Sequence, residues 1–213
     1  MNMIEKATSH DEVNLEIKVP RLPHMSSEAI AYLGSQLEKA KCFLEYGAGG
    51  STRLAARLNV ESVYSVESDA AFGKVVRRYV SREAKGSQLK MIQPDIGEVG
   101  PWGYPVGSAS ARQWKSYPLD VWNSIEAAGK SPDIILVDGR FRVACCLVSF
   151  LKAKPGTPIL FDDYLGREDR YQIVEKHSSP IQAYGKSLLF HAPRRLNARN
   201  IAIDLLNYMS DPR

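Results

Sequence analysis

Cysteine is scarce in this chain of 213 residues, and long apolar runs are missing. The three cysteines, Cys42, Cys145 and Cys146, are odd in number, have no CxxC spacing and lie near no pair of histidines. This pattern suggests neither a disulfide framework nor a zinc site, and we expect buried, reduced thiols. The apolar segment 133–148 is interrupted by charged residues and falls short of the roughly 18 residues that a membrane span requires.

A strong excess of one charge is also missing. Lysine and arginine number 28 against 24 acidic residues, which gives a formal net charge of +4. Such a mildly basic balance does not by itself indicate a nucleic-acid-binding protein, and we do not expect nucleic acid as a partner. Because acidic residues stand where a signal peptide would have its apolar core, we expect a cytoplasmic protein without membrane association.

Strand patterns alternate with helix patterns through most of the chain. Residues 1–25, which include Pro-Arg-Leu-Pro at 20–23, are predicted to form an N-terminal arm, and residues 26–213 are predicted to form a single domain. Alternation of this kind requires crossover connections, which favours a mostly parallel sheet with helices on both faces. A final pair of strands predicts an antiparallel edge hairpin, so the predicted fold class is α/β and Rossmann-like. The predicted strands are 42–46, 62–66, 88–92, 133–137, 158–161, 181–184 and 187–190.

Segment 97–118 is too irregular for a helix or strand and too aromatic for a flexible linker. It holds four glycines, three prolines and two of the three tryptophans of the chain. We expect an ordered loop that covers a ligand and selects the substrate. Alternatively, its aromatic residues Trp102, Tyr104 and Trp114 anchor the loop to the core.

The ends of the first two predicted strands indicate a nucleoside-binding site. The first strand is followed by Gly47 and Gly49, which allow a tight turn and a close approach of ligand to backbone, and then by the start of a helix, where N–H groups are unpaired. Glu67 ends the second strand, where a carboxylate can accept hydrogen bonds from both hydroxyls of a ribose. Parallel sheets bind ligands at this edge, so the pair predicts an adenosine ligand.

Two residues distinguish between the ligand classes that use such a site. Glu45, just before the glycines, would repel a pyrophosphate but can bind the ammonium group of a methionine, directly or through water. Thr52 stands where the dinucleotide pattern GxGxxG requires its third glycine. These residues favour S-adenosylmethionine over a dinucleotide.

In these residues the chain resembles the class I S-adenosylmethionine-dependent methyltransferases. The motifs are Phe-Leu-Glu-Tyr-Gly-Ala-Gly-Gly-Ser-Thr at 43–52, Glu67, Asp95 and Ile-Leu-Val-Asp-Gly at 135–139. Asp138 and the later Asp162-Asp163 are similar to the small-molecule, catechol O-methyltransferase-like branch. The resemblance implies catalytic roles for Asp138, Asp162 and Asp163, and cofactor contacts from Glu45, Gly47, Ala48, Gly49, Ser51, Thr52, Glu67, Ser68, Asp95, Ile96 and Asp138.

In that branch the three equivalent aspartates hold a magnesium ion. A divalent metal would neutralise the converging carboxylates, but the lysine that the branch places three residues after its first aspartate is Phe141 here, and we assign no metal ligands. In the alternative interpretation the aspartates cap helices or pair with nearby arginines, which are Arg140, Arg142, Arg167 and Arg170.

The resulting functional prediction is a methyltransferase that acts on an unidentified small molecule. A base would assist a hydroxyl acceptor, and Asp138 and Asp163 are the candidates. Two alternatives remain open: a catalytically inactive binding protein with the same fold, and an RNA methyltransferase. No feature of the sequence specifies the acceptor or the oligomeric state.

Overall fold

The computed structural model describes residues 17–213, so the first sixteen residues of the predicted arm lie outside the described part. Strands and helices alternate as the sequence predicts. The strands are β1 (Cys42–Tyr46), β2 (Ser62–Val66), β3 (Gln88–Ile92), β4 (Ile134–Val137), β5 (Pro158–Phe161), β6 (Gln182–Tyr184) and β7 (Ser187–His191). The helices are α1 (Ser27–Leu37), α2 (Gly50–Arg57), α3 (Ala70–Glu83), α4 (Ser116–Ala127), α5 (Arg142–Lys152), α6 (Glu168–Tyr171) and α7 (Ala198–Tyr208).

The strands described in residues 17–213 form one sheet in the order β3-β2-β1-β4-β5-β7-β6. The strands β1 to β5 are parallel, whereas β7 runs antiparallel to β5 and pairs with β6 as an edge hairpin. The predicted Rossmann-like α/β fold class is thus confirmed. Among the described helices, none has the length and apolar character needed to cross a membrane.

Both faces of the sheet are covered because its strands are apolar on both sides. Leu44 and Tyr46 of β1 pack in the cluster that α4 and α5 complete, whereas Phe43, which precedes Leu44, packs against Leu33 of α1 and Leu54 of α2. Alternate side chains of a strand point to opposite faces, so this division places one helical layer on each side.

Side-chain caps fix the helix starts that position the site. Ser26 Oγ accepts the Ala29 N–H at 3.2 Å, and the Asp69 carboxylate accepts the N–H groups of Ala71 and Phe72 at 2.9 Å. Each cap satisfies N–H groups that a helix start leaves unpaired. Serine and aspartate are favoured at the N-cap, so the sequence predicts both caps.

Several predicted boundaries differ from the structure. β6 begins one residue later than predicted, at Gln182, and β7 ends one residue later, at His191. α4 begins at Ser116, so the last three residues of the predicted loop 97–118 belong to its first turn.

β4 begins one residue later than predicted, because the Asp133 carboxylate accepts the N–H groups of Lys41 and Cys42 at 2.8 and 2.9 Å and so joins the start of β1. The sequence of 169–176 predicts one short helix, whereas the structure has α6 followed by a 3-10 segment, Gln172–Lys176.

The described part of the arm lies across the start of α2. Arg53 and Arg57 donate hydrogen bonds to the carbonyls of Val19 and Arg21, and Val19 is buried. A Cβ added at Gly50 would lie 2.0 Å from the carbonyl oxygen of Leu22. Gly50 is therefore required by the close passage of the arm over the glycine turn.

Candidate active site

The carboxyl ends of β1, β2, β4 and β5 surround a cavity of about 780 Å³. Cavities of this size hold drug-sized ligands. Many predicted site residues line it: Gly47, Ala48, Gly49, Ser51, Glu67, Ser68, Asp138, Asp162 and Asp163. Sequence reasoning missed or left unassigned further lining residues: Pro20, Pro23, His24, Asp69, Phe72, Tyr117, Gly139, Arg140, Arg142 and Arg167. Pro20, Pro23 and His24 belong to the arm, and no local sequence pattern could have placed them at the cavity, because a contact with a distant part of the chain brings them there.

Two glycines let the turns after β1 and β4 approach each other. Gly47 has a φ of +95°, and a Cβ there would lie 2.8 Å from the Cα of Gly139. A Cβ at Gly139 would lie 2.2 Å from the Tyr117 hydroxyl oxygen. Neither position has room for a side chain, so bare backbone forms this part of the cavity.

Glu67 is nearly buried beside the cavity, with 8% of its surface exposed. Its Oε1 accepts the N–H of Asp69 at 2.8 Å. Burial raises the pKa of Glu67 to about 7, although that backbone N–H acts in the opposite direction. The loop 97–118 closes on this point, where Ser68 Oγ donates to the Gly103 carbonyl at 3.3 Å.

Glu45 does not line the cavity. It is fully buried, and its two carboxylate oxygens accept hydrogen bonds from the hydroxyls of Ser51 and Thr52. Burial raises the pKa of Glu45 to about 7. Thr52 Oγ1 in turn accepts the Gly49 N–H at 2.9 Å. The predicted direct contact between Glu45 and the ammonium of a ligand is not available in this geometry, and the carboxylate instead holds the glycine turn in place.

Asp95 and Ile96 also lie outside the cavity lining. Asp95 is exposed and accepts the Gly97 N–H at 3.0 Å, which fixes the start of the loop. The buried Ile96 accepts the indole N–H of Trp114 at 2.9 Å through its carbonyl. Trp114 thus anchors the loop, as the alternative interpretation expected, whereas Trp102 lines the cavity with 83% of its surface exposed.

Arg142 connects the aspartates that follow β4 and β5. Its Nη2 lies 3.2 Å from Asp138 Oδ1, and its Nη1 lies 3.7 Å from Asp163 Oδ2. The same guanidinium donates to the carbonyls of Gly139 and Asp162 at 3.0 and 2.6 Å. Arg167 lies 3.3 Å from Asp163. The pairing of these aspartates with arginines is therefore observed.

The three aspartates do not fit the magnesium site that the resemblance implies. The guanidinium of Arg142 supplies a positive charge between Asp138 and Asp163, and Asp162 Oδ1 accepts the Ser187 hydroxyl. Within residues 17–213 no group of three His, Cys, Asp or Glu side chains has an arrangement suited to a metal ion.

Asp138 keeps a partly exposed side chain, with 26% of its surface open to the cavity. Burial raises the pKa of Asp138, the guanidinium of Arg142 opposes the rise, and the negative charges of Asp162 and Asp163 add to it. A carboxyl group with a raised pKa near a cavity is a candidate for proton transfer near neutral pH.

Left-handed backbone clusters around this cavity. Trp102, Phe141 and Asp163 have φ values of +61°, +53° and +55°. Such conformations are strained for residues other than glycine and persist where the surrounding structure imposes them. Trp102 and Asp163 line the cavity, and Phe141 directly follows Arg140.

Comparison with known proteins supports a relationship along nearly the whole chain. A methyltransferase-like protein from Silicibacter pomeroyi is 33% identical, with a TM-score of 0.81 over 91% of this chain and 100% of that protein. An O-methyltransferase from Bacillus cereus, crystallised with S-adenosyl-L-homocysteine (SAH), is 15% identical to this chain. Its TM-score is 0.54 over 81% of this chain and 83% of that protein. No protein-family model and no curated protein matches. The similarity of this chain to the Silicibacter protein, together with the sheet order and the motifs at the strand ends, shows that the chain belongs to the class I S-adenosylmethionine-dependent methyltransferase family.

Proposed function

We propose that the protein binds S-adenosylmethionine in the cavity and transfers its methyl group to a small-molecule acceptor. The observation that carries this proposal is the cavity itself, at the carboxyl ends of β1, β2, β4 and β5, with Gly47 and Gly139 at its base and Glu67 beside it. Its volume of about 780 Å³ is ample for a nucleoside and a small acceptor together.

The position of the cofactor follows from the chemistry of the lining. The turn of Gly47 and Gly49 would receive the amino-acid end, because bare backbone allows close approach there. Glu67 would accept hydrogen bonds from the ribose hydroxyls. Trp102, the most exposed aromatic residue of the loop 97–118, would cover the nucleoside from outside and limit its contact with water.

When bound, S-adenosylmethionine supplies an electrophilic methyl group, so the protein's main tasks are alignment and exclusion of water. Asp138 lies next to the Gly47 turn and is the candidate base that would take the proton of a hydroxyl acceptor. Arg142 would hold the Asp138 carboxylate in position through their contact at 3.2 Å. Asp163 lies on the far side of the same guanidinium and is the second candidate.

The branch and the location are part of the same proposal. Asp138 after β4 and Asp162-Asp163 after β5 support the small-molecule branch, although Arg142 sets this chain apart from metal-dependent enzymes. Three buried cysteines without disulfides are typical of a reducing compartment, which supports the cytoplasm.

A transfer assay separates the enzyme from an inactive binding protein. The full chain would be incubated with S-adenosylmethionine carrying a tritiated methyl group and a panel of hydroxylated small molecules, with Asp138→Asn and the exposed Glu38→Gln as matched variants. We expect tritium in an acceptor, unchanged transfer by Glu38→Gln and a loss of about a hundredfold or more with Asp138→Asn. Binding of SAH with no transfer to any acceptor would instead support the inactive binding protein.

A further inference from the structure

The part of the cavity beyond the proposed cofactor is rich in arginine. In the sheet order, Glu67 follows β2, the Gly47 turn follows β1, Arg140 follows β4 and Arg167 follows β5. A cofactor whose ribose is at Glu67 and whose amino-acid end is at the Gly47 turn occupies the β2 and β1 side. The side of β4 and β5 is then left for the acceptor.

Two of the three guanidinium groups on this side are matched by carboxylates. Arg142 lies between Asp138 and Asp163 and also donates to backbone carbonyls. Arg167 lies 3.3 Å from Asp163. These arginines are committed to the protein's own acids.

Arg140 differs from them. Its Nε is buried and has no hydrogen-bond partner among residues 17–213. No carboxylate of that part of the chain lies close enough to its guanidinium to form an ion pair. The guanidinium carbon of Arg140 lies 5.9 Å from the centroid of the Tyr104 ring. Burial and the neighbouring charge of Arg142 lower the pKa of Arg140.

A partly buried cation without an anionic partner is costly, because it has lost water without gaining a compensating charge. The backbone around Arg140 is nevertheless held firmly. The Tyr117 hydroxyl accepts the Arg140 N–H at 3.2 Å, and the next residue, Phe141, has a left-handed conformation. Arg140 thus presents an unmatched positive charge from a fixed backbone, and it lines the cavity beside the candidate base Asp138.

We infer that the methyl acceptor is a small anion, a carboxylate or phosphate compound, whose charged group binds Arg140. This inference rests on the proposed function and adds the substrate class to it. A planar guanidinium can bind either anion through two parallel hydrogen bonds. Tyr104 would pack against the acceptor, and Asp138 would face the group that receives the methyl.

The test is calorimetric titration of the full chain, saturated with SAH, with three probes. Two are charged, 4-hydroxybenzoate and phenyl phosphate, and one is neutral, 4-hydroxybenzamide. The variants are Arg140→Met, which removes the charge but keeps much of the apolar stem, Arg140→Lys, and Arg199→Met as an exposed control on α7. The two charged probes distinguish a carboxylate from a phosphate acceptor.

We expect the wild-type protein to prefer a charged probe over the neutral one by about tenfold to a hundredfold. Arg140→Met should abolish this preference, Arg140→Lys should keep part of it, and Arg199→Met should leave it unchanged. The affinity for SAH should change by less than about twofold in all variants. Thermal unfolding is expected to show that Arg140→Met folds; if it does not, the Arg140→Lys comparison carries the test.

Several results would overturn the inference. One is equal or undetectable binding of charged and neutral probes by the wild-type protein, and another is a preference that survives in Arg140→Met. A large loss of SAH affinity in Arg140→Met would assign the arginine to the carboxylate of the cofactor instead. A short RNA that displaces 4-hydroxybenzoate from the wild type but does not bind Arg140→Met would indicate a nucleic-acid phosphate.

Failure of the proposed function has a different result. If the wild-type protein does not bind SAH, the cofactor proposal fails. The probe titrations without SAH then still decide whether Arg140 recognises an anion.

Discussion

Gly139 shows how one residue determines whether this cavity exists. Its missing side chain leaves room for the Tyr117 hydroxyl and for the backbone of Gly47. We predict that Gly139→Ala lowers the free energy of unfolding by about 2 kcal/mol or more, because the added carbon would meet backbone that cannot move aside. Binding of SAH should weaken in parallel.

The matched control is Gly34→Ala in α1, where an added Cβ meets nothing within 4 Å. Alanine is favoured over glycine inside a helix, so this variant should gain up to about 1 kcal/mol. Urea unfolding measures both variants. Equal stabilities for Gly139→Ala and wild type would show that the close approach of the two turns is not required.

Asp138 determines the expected pH dependence of transfer to a hydroxyl acceptor. Burial raises the pKa of Asp138 to about 8, and only the ionised carboxylate can take a proton. We predict that kcat/KM rises with pH up to about 8 and then levels off. Asp138→Asn should remove this rise, and a profile of unchanged shape in the variant would exclude Asp138 as the base.

Glu67 links stability to function. Burial raises its pKa to about 7 from 4.5, so the folded state holds this proton more tightly than the unfolded chain. The contribution of Glu67 to stability therefore falls as pH rises from about 4.5 to about 7. We predict that Glu67→Gln is more stable relative to wild type at pH 8 than at pH 4.5, by on the order of 2 kcal/mol.

Chemical unfolding of both proteins at the two pH values measures this difference. A constant difference between variant and wild type would contradict the prediction. Binding of SAH should weaken in the same variant, because an amide accepts hydrogen bonds less strongly than a carboxylate does.

At the scale of whole elements, the loop 97–118 holds one exposed and one buried tryptophan. Trp114 is 6% exposed, whereas Trp102 is 83% exposed at the cavity. The remaining tryptophan, Trp122 in α4, is 2% exposed. We predict that SAH binding changes the intrinsic fluorescence and that Trp102→Phe removes most of the change. Persistence of the full signal in Trp102→Phe would show that the loop does not cover the ligand.

The elements were largely predictable because the patterns that form them are local. β1 and β2 have the predicted boundaries, since each is a short apolar run that ends at an acid or a glycine turn. The caps at Ser26 and Asp69 are equally local. The position of the arm was not predictable, because the contact between Leu22 and Gly50 joins distant parts of the chain.

The same distinction applies to the candidate site. Residues that directly follow a strand, such as Gly47, Glu67 and Asp138, could be placed at the cavity from sequence, because parallel strands end at one edge. The burial of Glu45 and the isolation of Arg140 depend on side-chain packing, which a spacing pattern does not contain.

At the scale of the molecule, the sheet order explains why the site lies where it does. β1 lies between β2 and β4 and is the middle one of the five parallel strands, so the crevice opens where the chain leaves β1. The arm covers this crevice near Gly50 and the loop 97–118 covers it near Glu67. Distant segments of the chain therefore enclose one cavity.

The most direct test of this account is calorimetric titration of the full chain with SAH and, separately, with NAD⁺. We predict one-to-one binding of SAH with a dissociation constant on the order of micromolar and binding of NAD⁺ weaker by about a hundredfold or more. Glu67→Ala should lose SAH binding, and the exposed Glu38→Ala should retain it. Tighter binding of NAD⁺, or SAH binding that does not depend on Glu67, would contradict the account.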